Sequence, residues 1–208
     1  MLDPRDADAI PGDVDPATRS EVAHTTAQAL VHGGRAGQHD AALVDRLVRL
    51  VEHEGLDVVA AMWADSPATT LPGTLWRLYA LRDWVGRDPR AVAEHYRAGV
   101  RSTPVHEVVA GVADAPGPDE VRVVLDEVLS GVFRGDLAVA LERAGAFCRV
   151  LAVGASVEAD RLDERARTLA DPTQVSHASR LTSGAASLVR TAEELEHAAG
   201  LWRAELLD

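Results

Sequence analysis

Residues 74–90 read TLWRLYALRDWVGRDPR, with Trp76, Tyr79 and Trp84 within nine positions and Arg77, Arg82, Arg87 and Arg90 threaded among them. On a helical wheel, Leu75, Trp76, Leu78, Tyr79, Ala80, Leu81, Trp84 and Val85 leave almost no polar face. A helix that is apolar all round is normally buried on most sides. The stretch therefore predicts a central helix over 72–86, around which other helices pack. Arg77 and Arg82 interrupt the apolar surface, and a buried guanidinium needs a carboxylate, water or anion to answer it. Arg87, Arg90, Arg97 and Arg101 are expected on the outside.

The rest of the chain repeats the helical signal. Asp15-Pro16, Asp88-Pro89 and Thr103-Pro104 each set a capping oxygen before a proline at the first helical position, and Thr70 precedes Leu71-Pro72 in the same manner. Helices are expected near 16–31, 40–53, 56–65, 72–86, 89–101, 104–113, 118–134, 137–153, 158–169 and 181–206. No segment alternates β-branched and polar residues as a strand would. The fold class is all-α, a multi-helix bundle of about nine to ten helices with no sheet.

Residues 1–14, acidic and broken by prolines, are expected to be disordered, and 15–208 to form a single helical domain. The run DAPGPDE at 114–120 is where a subdomain break would fall. Segment 154–180 has few large apolar residues and much charge, which predicts an exposed connection with one short helix. Leu181, Ala185, Leu188, Ala192, Leu195, Ala199, Trp202 and Leu206 step by alternating fours and threes, a heptad seam. Leu137, Leu141, Ala144, Cys148 and Leu151 repeat that rhythm. Packing of these two helices inside the monomer is the plainer reading. A homodimer through 181–206 is the alternative.

Composition narrows the chemistry. The 208 residues carry a formal net charge of −12, contain no Lys and no Asn, and have one cysteine. Such a balance argues against general nucleic-acid binding and against anionic membranes. Without Lys there is no Walker P-loop, no Schiff base and no Ser–Lys pair. A lone Cys148 allows no internal disulfide and suits a reducing, cytoplasmic setting. It sits on an apolar helical seam and reads as a packing residue. No run approaches the length of a membrane span.

The eight histidines make no HExxH and no i,i+4 pair, so no metal or cofactor is implied. HGGRAGQ at 32–38 lacks the preceding strand of a nucleotide-binding unit and reads as a helix–helix loop. Charge is unevenly spread: 71–101 holds six Arg against Asp83, Asp88 and Glu94, an island of +3 in an otherwise acidic chain.

LPGTLWRLYALRDWVGRDP (71–89), VVAGVADAPGPDEV (108–121), LAVALERAGAFCRVLA (137–152) and LVRTAEELEHAAGLW (188–202) resemble a family of small all-helical proteins from high-GC bacteria. The resemblance spans about residues 40–206, and some members carry the label of an RNA polymerase β subunit. It implies an all-helical fold and a bacterial, cytoplasmic setting, and supplies no catalytic residue to carry over.

These features favour a non-enzymatic helical protein-interaction or regulatory module. Its binding residues would come from Trp76, Arg77, Tyr79, Arg82, Trp84, Arg87, Arg90 and Arg97. The alternative is a small-molecule or anion-binding protein, enzyme or not, with Arg77 and Arg82 facing a pocket walled by Trp76, Tyr79 and Trp84. A transcription-associated factor is the weaker third reading.

Overall fold

The computed structural model describes residues 15–32, 49, 53, 55–102, 117–129, 135–169 and 172–208. Among them the chain is helical with no strand, in seven helices. These are α1 (Pro16–His32), α2 (Leu56–Ala61), α3 (Leu71–Arg87), α4 (Pro89–Ser102), α5 (Pro118–Leu129), α6 (Leu137–Leu169) and α7 (Pro172–Arg203). The expected count of nine to ten is too high for the described residues. The segments 1–14 and 104–113, most of 40–53, and the first part of the 114–120 break lie outside them.

Capping follows the sequence signals. Ala17 N–H donates to Asp15 Oδ1 at 3.3 Å, Gly73 N–H to Thr70 Oγ1 at 3.3 Å, and Ala91 N–H to Asp88 Oδ1 at 3.1 Å. Asp136 opens α6 likewise, accepting from Ala138 N–H at 2.9 Å. Each side-chain oxygen answers an amide that the first helical turn leaves without a backbone partner.

α3 is the hub, packed against α1, α2, α4, α5 and α7. Leu71, Leu75, Leu78, Leu81 and Val85 along it are buried. Beside it lies Trp63, wholly buried, whose indole N–H donates to Thr26 Oγ1 of α1 at 3.0 Å. That bond removes the cost of placing an indole donor in an apolar interior.

α6 and α7 form the most extensive helix–helix contact, an antiparallel pair. Arg149 holds Glu196 through two hydrogen bonds of 2.7 and 2.6 Å, and Arg203 reaches Glu142 at 2.5 Å. Ala185, Ala192, Leu195 and Ala199 are buried, so these four seam positions pack within the chain, while Leu181, Leu188 and Trp202 are partly exposed. A homodimer through 181–206, the alternative reading, would have to form without these four side chains. The helix itself ends at Arg203, and Leu206 is 65% exposed while Leu207 turns into the core.

The connection expected over 154–180 is instead helical. Residues 154–169 continue α6, and 172–180 are the opening turns of α7. Ala155, Ala159, Leu162 and Ala166 prolong the buried stripe of α6, and Ala178 and Ala185 face inward from α7. Alanines suffice because two closely apposed helices need little side-chain volume between them. The absence of large apolar residues therefore marked close approach, and the dense charge marks the wet outer faces.

Two glycines set a second close contact. A Cβ at Gly154 of α6 would lie 1.8 Å from the His95 carbonyl oxygen, and one at Gly99 of α4 2.0 Å from that of Val150. The two pairs, each four residues apart, let α4 cross α6 backbone to backbone. No helix among the described residues is long and apolar enough to cross a membrane.

Candidate functional site

The island on α3 and α4 divides into arginines that meet a carboxylate among the described residues and arginines that do not. Arg77 and Arg82 lie five residues apart, about 140° around a helix, so they face different neighbours. Arg77 Nε donates to Glu194 of α7 at 2.5 Å, and its guanidinium also donates to the Gly73 carbonyl at 2.8 Å. Arg82 Nε donates to Asp126 of α5 at 2.6 Å. Arg87 pairs with Asp83 one turn earlier on its own helix. Arg77 and Arg82 therefore tie α3 to its neighbours, while Arg87 is held within its own helix.

The aromatic residues are shared among separate surfaces. Trp76 and Tyr79 stack with ring centroids 5.4 Å apart, and the Tyr79 hydroxyl donates to Asp57 at 2.9 Å. Burial, then the Asp57 bond, raise the Tyr79 pKa above its ordinary value. Trp76, Arg77 and Trp84 border a cleft of about 340 Å³ that Leu188 and Glu194 of α7 close from the other side. Arg82 and Tyr79 do not line it. The single pocket expected to gather Arg77, Arg82, Trp76, Tyr79 and Trp84 is thus not assembled: α3 is a hub, and its side chains radiate.

Arg90, Arg97 and Arg101 differ. They are exposed on α4 and make no ion pair with any described residue. Steps of seven and four place them on one stripe of the helix, interrupted by exposed Glu94.

Beside this stripe lies a cleft of about 590 Å³ between the end of α3, α4, the outer half of α6 and the opening of α7. Trp84, Ala98 and Leu181 give it apolar lining, and Arg97, Arg101, His95 and His177 bring donors. His95 and His177 were not among the residues expected from sequence, because no spacing links positions on different helices. Gly99 and Gly154 were missed for the same reason.

Among the described residues no three His, Cys, Asp or Glu side chains converge as metal ligands would. Cys148 is fully buried, and burial, then the charge of Glu196, push its thiol up to about 12, far from a reactive thiolate. No protein-family model, curated protein or solved structure matches the chain.

Proposed function

We propose that the protein is a non-enzymatic interaction module of the bacterial cytoplasm, docking an acidic partner segment along α4. The observation that carries this is the stripe Arg90, Arg97 and Arg101, exposed and in no ion pair with a described residue, in a chain of net charge −12. In so acidic a protein, carboxylates answer the neighbouring cations Arg77, Arg82 and Arg87. Cations left over on one helical face offer charge complementarity to an acidic surface, which steers encounter and fixes register.

The candidate residues Arg90 and Arg97 keep this role, with Arg101 added to them. Trp76, Arg77, Tyr79 and Arg82 are assigned to holding the fold, and Arg87 to an exposed pair within α3. The cytoplasmic setting rests on the unpaired Cys148, and a transcription-associated role rests on the family resemblance alone. A ligand pocket built on Arg77 and Arg82 has less support, since Glu194 and Asp126 already hold those guanidiniums.

Affinity capture from the native host with crosslinking tests the reading. The variant Arg90→Glu/Arg97→Glu/Arg101→Glu should lose specific partners that the parent retains, with circular dichroism unchanged. The crosslinked partner peptides should be rich in Asp and Glu. Identical capture by both proteins would overturn the docking face.

A further inference from the structure

We infer that the 590 Å³ cleft beside α4 is a binding site for a small organic anion, a phosphate or carboxylate carried on a flat apolar body. The volume falls in the range of small-molecule sites. Its lining divides into an apolar part, Trp84, Ala98 and Leu181, and donors from more than one helix.

The rim carries Arg97, Arg101 and Arg161 against Asp88, Glu94 and Glu158, and the ligand's sign follows from which of these groups are already engaged. Of its carboxylates, Asp88 already accepts from Ala91 N–H at 3.1 Å, and Glu158 lies 3.5 Å from Arg161. Glu94 alone is left to oppose Arg97 and Arg101, which have no described partner. Two guanidiniums one helical turn apart repel each other, and an anion between them removes the repulsion while gaining charge-assisted hydrogen bonds.

His95 adds a polar ring of fixed position. Its Nδ1 is buried with no hydrogen-bond partner among the described residues. The backbone of His95 is pressed against Gly154, which holds this turn of α4 in place. His177 of α7 faces the same cleft. A bare phosphate would leave the Trp84 and Leu181 surfaces unused, so the ligand has an apolar body beside its charge.

This goes beyond partner docking, because His95, His177 and Trp84 lie off the Arg90–Arg97–Arg101 stripe. Titration of the full chain with phenyl phosphate and with phenylacetate, followed by calorimetry and histidine ring resonances, provides the test. Inorganic phosphate and benzyl alcohol serve as probes carrying one feature each. At least one aromatic anion should saturate, binding about tenfold or more tighter than both one-feature probes, and should shift the His95 and His177 signals.

Arg101→Gln and His177→Gln should each weaken that binding roughly five- to tenfold without moving Tm. Arg90→Glu should leave it unchanged while impairing capture of an acidic partner, and His177→Gln should do the reverse. The two assignments therefore fail separately. Absence of saturation by either aromatic anion at roughly 10 mM, equal affinity for benzyl alcohol, or indifference to both cleft variants would overturn the site.

Discussion

Glu205 follows the last turn of α7 with φ 57°, the left-handed region that side chains normally avoid. Leu206 N–H donates to the Leu201 carbonyl at 2.9 Å and Glu205 N–H to that of Trp202 at 3.1 Å, the paired bonds of a Schellman ending. A non-glycine residue there costs roughly 1–2 kcal/mol. Glu205→Gly should therefore raise stability by about 1 kcal/mol in thermal or urea unfolding. Glu142 shows a different single-residue effect. Hydrogen bonds from Arg203 hold its carboxyl below the usual glutamate range. Its contribution is present above the unfolded value of about 4.3 and is lost as pH falls through the lower folded value. The acid limb of a stability–pH curve should be flatter for Glu142→Gln. The Cys148 thiol, buried and raised to about 12, should resist a thiol reagent at neutral pH and react at full rate once the chain unfolds.

Between elements, the closest approach is the crossing of α4 and α6, where glycine is required by space and not by backbone dihedral. The atoms that a Cβ at Gly154 would meet are the carbonyl, carbon and Cα of His95, which have no rotamer to yield. Gly154→Ala should cost about 3 kcal/mol or more, at the upper end of overpacking effects, and should displace the His95 resonances. Ion pairs between helices differ by exposure. Arg77 and Glu194 are 21% and 29% exposed, Arg82 and Asp126 40% and 42%. Replacing Arg77 with Gln should cost about 1–3 kcal/mol, since Glu194 would lose a charged donor in a half-buried place. The same change at Arg82 should cost less than about 1 kcal/mol, because water can take over. Equal losses in urea unfolding would contradict the idea that burial decides the worth of these pairs.

Over the whole molecule, one buried helix organises the bundle and one long hairpin braces it. The hairpin seam distinguishes internal packing from assembly. Leu195 is wholly buried in it, so Leu195→Asp should destabilise the monomer by about 4 kcal/mol or more. The expected readout is lost helical signal, whereas a dimer seam would give a folded protein of halved mass. Much of this architecture was legible beforehand. The apolar wheel of 72–86 announced a central helix, proline and aspartate or threonine marked helix starts, and the 4–3 rhythm marked the α6–α7 contact. These are local signals, set by a few residues and the fixed pitch of a helix. What the local signals could not carry was relation between distant positions. The alanines of 155–178 read as an empty connection, because small residues identify close packing only when the opposing backbone is known. The sequence by itself determined a helical chain, its central element and its seam. Only the tertiary structure decided which arginines were answered, because Glu194 and Asp126 stand 117 and 44 residues from their partners. It likewise brought His95, His177 and Trp84 to one cleft. Helix formation depends on neighbours along the chain, whereas charge pairing and cleft formation depend on which helices cross, and where.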